Sequence, residues 1–258
     1  MDLLQAKSAD AAVDNVVGKV TAWLGAAKSV AVLTGAGISA ASGIPTFRGP
    51  GGVWRTYRAE ELATPQGFAR DPKLVWEWYD WRRSVIAEAE PNAGHRALAE
   101  IERRVPQFTL VTQNVDDLHD RGGSRNVLKV HGDIWTVRCT VCERERRDLR
   151  PRIEPLPPHC SCGAMERPGV VWFGEGLPED VWEDAVLATK AADLFFVIGT
   201  SAVVHPAAGL VYLAKSSGAK VVEINVDDTP VSSTVDVCWR ASAAEALPAL
   251  LVNCRLCS

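Results

Sequence analysis

Four cysteines in this chain lie close together. Cys139-x-x-Cys142 is followed, after residues 143–159, by Cys160-x-Cys162. Two thiol pairs about 15–20 residues apart are the pattern of a tetrahedral four-thiolate zinc site. The second pair has one intervening residue instead of the usual two, and His159 is an alternative ligand at that turn. No acid joins the set, so a bound metal would be structural, stapling a segment poor in apolar residues. Free thiols in a loop-rich segment are the weaker reading. Cys254 and Cys257 form another C-x-x-C at the C-terminus, read as surface thiols, with a reversible disulfide as the alternative.

A second collection of reactive residue types follows short apolar runs. Residues 30–34 lead into Gly35-Ala36-Gly37-Ile38-Ser39, and 108–112 into Gln113-Asn114-Val115-Asp116. Residues 127–130 end at His131-Gly132, 194–198 at Gly199-Thr200-Ser201, and 221–224 at Asn225-Val226-Asp227. Gly35 to Ala40 reads G-x-G-x-x-A, where glycines let a backbone approach a pyrophosphate. By itself this is equally a tight turn. A dehydrogenase fingerprint also needs a strand-ending acid about 20 residues on. Pro45-Thr46-Phe47-Arg48-Gly49 stands there instead, so a dinucleotide would bind differently, with Arg48 against phosphate and Phe47 over a ring. His131 has the residue type of a general base near neutral pH. A strand-end histidine is also a common structural residue, and His95, His119 and His205 take that plainer reading.

Apolar runs at 30–34, 108–112, 127–131, 194–199, 221–226 and 235–239 must position these groups. Most lack alternation, as strands buried on both faces do. Helical patterns at 91–103, 180–191 and 206–216 separate several of them. The expected class is therefore α/β, a doubly wound parallel (Rossmann-like) sheet domain with a small inserted zinc-binding module and a helical insertion. Residues 49–90 read as the helical insertion and 136–168 as the zinc module. The sheet part is then discontinuous: 1–48, 91–135 and 169–258. In such a sheet a ligand lies outside the carboxyl ends of the strands.

With 47% hydrophobic and 23% charged residues the chain is globular, not disordered. Its net charge of −4 argues against a dedicated nucleic-acid binder. No apolar run reaches the ~20 residues of a membrane span. The first residues lack the order of a signal peptide, so a cytoplasmic location is expected.

These motifs occur together in the order found in sirtuins: Gly35-Ala36-Gly37-Ile38-Ser39, Gly43-Ile44-Pro45-Thr46-Phe47-Arg48-Gly49, Thr112-Gln113-Asn114-Val115-Asp116, His131-Gly132, the paired cysteines, Val171-Trp172-Phe173-Gly174-Glu175, Gly199-Thr200-Ser201 and Asn225. The chain resembles that family, in its class III bacterial-type branch, over nearly its whole length. The resemblance implies an NAD-dependent protein-lysine deacylase that consumes NAD and gives nicotinamide, free lysine and O-acyl-ADP-ribose. It implies that Gly35, Ala36, Gly37, Ser39, Thr46, Phe47, Arg48 and Trp54 close over NAD. Gln113, Asn114 and Asp116 would hold the nicotinamide and its ribose. Asn114 would also share the catalysis with His131, the base acting on a ribose hydroxyl. Gly199, Thr200, Ser201, Asn225, Val226 and Asp227 would hold the adenosine half, with a backbone contact near Ala243. Val170, Val171, Trp172 and Phe173, with the stretch after Ser201, would sandwich the acylated-lysine peptide as an added strand. Cys139, Cys142, Cys160 and Cys162 would carry one Zn2+. A monomer without nucleic-acid or membrane partners is expected. A mono-ADP-ribosyltransferase and a silent NAD-binding scaffold are the alternative functions.

The helix expected at 73–89 bears on the acyl group. Leu74, Trp78, Trp81 and Val85 form one stripe, and Val75, Tyr79, Arg82 and Ile86 a second. Tyr79 and Arg82, at i and i+3, share a face. A phenol and a guanidinium can grip a carboxylate. The plainer alternative pairs Arg82 with Glu77 or another acid and buries Tyr79 in the core. Tyr79-x-x-Arg82 resembles the acyl-pocket pair of sirtuins that remove succinyl and malonyl groups, and small Ala63 would leave room for a longer chain. The resemblance favours this reading, with acetyl-lysine also accepted.

Overall fold

The computed structural model describes the backbone of residues 3–46 and 62–253, and side chains over 13–46 and 62–252. Phe47, Arg48, Trp54, Cys254 and Cys257 lie outside the described residues. Helix α1 (Leu3–Ala26) leads into β1 (Ser29–Thr34) and a short 3-10 helix, Ala36–Ser42. Helices α2 (Pro65–Arg70), α3 (Pro72–Glu88) and α4 (Ala93–Arg104) precede β2 (Gln107–Thr112), α5 (Leu118–Arg121) and β3 (Val127–Lys129). Then come β4 (Gly132–Cys139), β5 (Glu145–Arg147) and β6 (Glu166–Val170). Helix α6 (Glu179–Ala191), β7 (Leu194–Ile198), α7 (Gly209–Ser216), β8 (Lys220–Asn225), β9 (Val237–Arg240) and α8 (Ala243–Asn253) complete the order.

The large sheet runs β3-β2-β1-β7-β8-β9, and every pairing in it is parallel. Renumbered within the sheet this is 3-2-1-4-5-6, the doubly wound order whose ligand crevice opens where the winding reverses, here between β1 and β7. Alternate residues of β1 feed two cores. Val30 and Val32 pack with Val20 and Leu24 of α1, Leu98 of α4 and Leu250 of α8. Ala31 and Leu33 pack with Ala185 of α6 and Leu210 of α7. All six expected strands exist. The run 194–199 stops at Ile198 because Gly199 turns at φ +56°, and the run 127–131 stops at Lys129, just before a turn at Gly132 (φ +77°). Among the described residues, no helix is long and apolar enough to cross a membrane.

The second sheet, β5-β4-β6, is antiparallel and holds the four cysteines. Its pairing begins at Gly132↔Val170, so it reaches past both ends of the expected 136–168 segment. Helix α3 packs against it through a third core containing Trp76, Tyr79, Ile86, Ile134, Val137 and Trp172. The helix starts where Asp71 accepts from Leu74 N–H (2.9 Å) and Pro72 occupies the first turn.

The expected stripe of Leu74, Trp78, Trp81 and Val85 does not form one buried face. Leu74 is 38% and Trp81 46% exposed. The small sheet meets α3 on the face of Trp76, Tyr79, Arg83 and Ile86, which turns those two residues to solvent. Arg83 is fully buried. It donates to the carbonyls of Ile134 (2.8 Å), Arg150 (2.8 and 3.1 Å) and Asp148, and its head lies 3.4 Å from the Asp148 carboxylate. Trp76 Nε1 donates to the Glu166 carbonyl (2.8 Å), and Asp80 accepts from Ile153 N–H (2.8 Å). One side of α3 is thus bonded to the cysteine-bearing sheet. The neighbouring side, Trp78, Tyr79 and Arg82, faces a cavity.

Candidate active site

That cavity, about 670 Å3, opens at the switch point between β1 and β7. It brings together Gly35, Ala36, Gly37, Thr46, Ala63, Tyr79, Arg82, Gln113, Asn114 and His131. It also takes in Val170, Val171, Trp172, Phe173, Gly199, Thr200, Ser201, Asn225, Val226 and Asp227. Ser39 and Asp116 are buried just behind its wall. Ala243 is buried in the core at the start of α8, its carbonyl against Gly94, and does not line the cavity.

The glycines also have a packing use. A Cβ on Gly37 would stand 2.7 Å from Gly199 Cα, and one on Gly35 2.7 Å from Thr200 Cβ. Their bareness lets the loops after β1 and β7 touch, sealed by Gly37 N–H donating to the Gly199 carbonyl (2.7 Å). Gln113 bridges the loop after β2 to that seam, donating to Thr200 Oγ1 (2.9 Å), while Asn225 donates to the Thr200 carbonyl (2.8 Å).

His131 Nδ1 lies 3.0 Å from the Gln113 carbonyl. A carbonyl only accepts, so Nδ1 carries the proton and Nε2 keeps its lone pair. Burial lowers the His131 pKa, against the raising effect of that bond. A neutral imidazole with Nε2 free is a general base. Asn114 is fixed from both ends: its backbone N–H donates to Thr112 Oγ1 (3.1 Å) and its amide to Ser39 Oγ (3.3 Å). Ser39 Oγ donates to Asp116 (3.1 Å), which also accepts from Leu118 N–H (3.1 Å). Burial raises the Asp116 pKa despite both bonds. His95 and His119 lie buried behind this group, against Ser39 (3.5 Å) and Thr34 (3.0 Å), as their structural reading expects.

Tyr79, also lining the cavity, is 2% exposed, and burial pushes its hydroxyl up to about 12, so it stays a neutral donor. The half-buried Arg82 lies over the rings of Trp78 (4.9 Å) and Tyr79 (5.9 Å). Glu77, its suggested alternative partner, pairs with Lys73 (3.8 Å). Ala63 is tied to the facing wall where its carbonyl accepts from Phe173 N–H (2.9 Å). The N–H groups of Val171 and Trp172 are also engaged, by the His131 carbonyl (2.9 Å) and Glu175 (2.8 Å). This wall therefore offers a peptide its carbonyls and side chains more than its N–H groups.

Sequence reasoning passed over Asp228, Thr229 and Pro230, which extend the cavity beyond Asp227, and gave His205 only a structural reading although it lines the cavity. Their signal was position alone, just past a strand end already singled out.

The four cysteine sulfurs lie within 4.8 Å of one another, with Cys139–Cys162 at 3.5 Å and Cys142–Cys160 at 3.7 Å. Zn–S bonds of about 2.3 Å arranged tetrahedrally put sulfurs about 3.8 Å apart, so the cluster fits a metal of that kind. The N–H groups of Val141 (3.5 Å) and Cys142 (3.4 Å) point at Cys139 Sγ, favouring its thiolate. His159 instead forms a β-bridge with Met165 and is not in the cluster.

The Sir2 family profile matches residues 35–206. An NAD-dependent protein deacylase of Aquifex aeolicus is 51% identical over 220 residues, covering 85% of this chain and 92% of its own. A Sir2 homologue solved in complex with NAD is 48% identical and superimposes with a TM-score of 0.88, over 92% of this chain and 93% of that one. A Sir2 solved with a p53 peptide and NAD+ is 31% identical, with a TM-score of 0.83, over 91% and 96%. The profile match takes in most of the loops that build the cavity, identity and superposition extend over most of the chain, and the chain belongs to the Sir2 family.

Proposed function

We propose that this chain removes acyl groups from protein lysines at the expense of NAD, taking succinyl- and malonyl-lysine as well as acetyl-lysine. The observation that carries the reading is one cavity holding both a base and an acyl reader. His131 has its Nε2 lone pair free at the strand ends, and Tyr79 and Arg82 lie in the same space.

The residues present fit NAD. The touching loops of Gly35, Ala36, Gly37, Gly199 and Thr200 form an open-ended trough at the switch point. Ser39 and Thr46, with Phe47, Arg48 and Trp54, would bind the phosphates and close over the cofactor, and Gln113, Asn114 and Asp116 would hold the nicotinamide and its ribose. Ser201, Asn225, Val226 and Asp227 would hold the adenosine half. NAD supplies an electrophilic ribose carbon with nicotinamide as leaving group. Asn114, pinned through Ser39 to Asp116, orients the ribose. His131 takes a proton from a ribose hydroxyl at Nε2, and the Gln113 carbonyl stabilises the imidazolium through Nδ1–H. Val170, Val171, Trp172 and Phe173 enclose the acyl-lysine stem and exclude water. Arg82 meets an acyl carboxylate with its planar fork while the Tyr79 hydroxyl donates to it, and Ala63 leaves the space.

Cys139, Cys142, Cys160 and Cys162 hold one structural Zn2+, read from the sulfur spacing. The cysteine cluster suits a reducing compartment, and the chain works in the cytoplasm as a monomer on protein substrates. The test is mass spectrometry on one peptide carrying acetyl- or succinyl-lysine, with and without NAD. NAD-dependent loss of succinyl with formation of O-succinyl-ADP-ribose is expected. Loss of acetyl alone would return Arg82 to a structural role. Loss of neither, with ADP-ribose transferred to protein, would replace deacylation by ADP-ribosyl transfer.

A further inference from the structure

Trp172 does more than wall the cavity. Its indole Nε1–H donates to the Tyr79 hydroxyl oxygen (3.0 Å), and both side chains are buried. A phenol oxygen that accepts from a fixed N–H must send its own proton elsewhere. The cavity is lined by Tyr79, so that proton is available to a ligand there. Accepting one hydrogen bond also strengthens the one donated.

The indole is itself packed by two neighbouring side chains. The Arg167 guanidinium stacks on one face at 3.4 Å from the ring centroid, and Phe68 packs against the ring at 5.2 Å. Arg167 grips Glu175 with two bonds, 2.5 and 2.9 Å, and donates to the Val170 carbonyl (2.9 Å). Glu175 in turn accepts from the Trp172 backbone N–H (2.8 Å). The ring and the backbone of Trp172 are thus fixed by one arginine–carboxylate pair, anchored in β6 of the cysteine-bearing sheet.

We propose that Trp172, locked by the Arg167–Glu175 pair, is a specificity-determining residue: its indole N–H aims the Tyr79 hydroxyl proton at the terminal carboxylate of a succinyl- or malonyl-lysine. The proposal rests on the acyl-carboxylate reading of Tyr79 and Arg82. Acetyl-lysine has no terminal carboxylate, so turnover of the two acyl peptides responds differently to loss of the indole N–H.

The experiment compares kcat and KM for succinyl- and acetyl-lysine forms of one peptide in the parent, Trp172→Phe, Tyr79→Phe, the double variant and Arg82→Met. Losing one aimed neutral hydrogen bond should lower the succinyl-to-acetyl ratio of kcat/KM about fivefold in Trp172→Phe, mainly through the succinyl KM. The double variant should be no worse than Tyr79→Phe, because the N–H acts through that hydroxyl. A merely structural role would instead lower both substrates alike and add to Tyr79→Phe. If Trp172→Phe does not fold, β-(3-benzothienyl)alanine at position 172 keeps both rings and removes only the N–H. An unchanged ratio in these variants, with a reduced ratio in Arg82→Met, would overturn the proposal alone. An unchanged ratio in Arg82→Met as well would overturn the acyl-carboxylate reading beneath it.

Discussion

Arg82 and Arg83 are neighbours in sequence, and their removal should have opposite consequences. Arg83 is fully buried and bonded to three backbone carbonyls and beside the Asp148 carboxylate. Arg83→Met keeps most of the aliphatic stem and removes all of those donors. Asp148 is not orphaned, since Arg146 (2.8 Å) and Arg150 (2.6 Å) still hold it. The carbonyls of Ile134, Asp148 and Arg150 lose their guanidinium donors. Each buried carbonyl left without its donor costs about 1–3 kcal/mol. In a domain of this size about 4 kcal/mol lowers Tm by roughly 8–16 °C. Arg82 is half-buried and lies over two rings, so Arg82→Met should lower Tm less than Arg83→Met does. Its loss falls on the succinyl substrate: charge-assisted bonds of about 1.5–3 kcal/mol correspond to roughly 10- to 100-fold in kcat/KM. Thermal melts by circular dichroism and paired deacylation assays read both effects. An Arg83→Met protein melting within 2 °C of the parent, as an order-of-magnitude threshold, would refute the view that this side chain staples α3 to the small sheet. An Arg82→Met protein losing desuccinylation and deacetylation equally would refute the role given to its neighbour.

Other outcomes follow from the same geometry. His131→Tyr should abolish deacylation while the circular dichroism spectrum stays that of the parent, and substantial residual turnover would remove its role as base. Burial lowers the His131 pKa from 6.5, so the base is already unprotonated at neutral pH. The rate should therefore be flat above pH 7 and fall only as pH drops below 6.5, a profile that a titration centred above 7 would contradict. Metal analysis should find about one zinc per chain, and stripping it with a strong chelator should lower Tm. A folded protein with no metal would count against the thiolate site. Gly199→Ala places a Cβ 2.5 Å from Ile38 N at a φ of +56°, and should erase the rise in Tm that NAD gives the parent. An undiminished NAD shift would show that the seam between the two loops tolerates spreading.

The sheet was legible because most of its strands are continuous apolar runs, and five of the six end in small or polar residues that the structure brings to the cavity. The cysteine pairs were legible because thiol spacing reports ligand geometry directly, and the sulfurs converge although the second pair has a single intervening residue. Which of two adjacent arginines is buried was not legible. One helical step of about 100° separates them, and only the position of the small sheet decides which one it covers. That same tertiary fact exposes Leu74 and Trp81, which periodicity alone placed on an apolar stripe. The stack of Arg167 on Trp172 was equally hidden, since a strand and a following turn give no sign of which side chains will fold over one another. The glycines after β1 also accommodate the neighbouring loop, a need that the motif alone did not reveal.

The strand order has a consequence in time. β1 lies at the middle of the sheet and pairs on one side with β7, Val30 opposite Leu194. Those partners are 164 residues apart, with the whole cysteine-bearing sheet encoded between them. A ribosome adding about 5–20 residues per second takes roughly 8–30 s to cross that distance. Through that interval the nascent chain carries an apolar strand with one edge unpaired, the kind of surface on which newly made chains stick to one another. Synthesis of this protein thus leans on whatever shields that edge until its second half emerges. Slowing translation between β2 and β7 should lower the yield of soluble enzyme without changing a single residue.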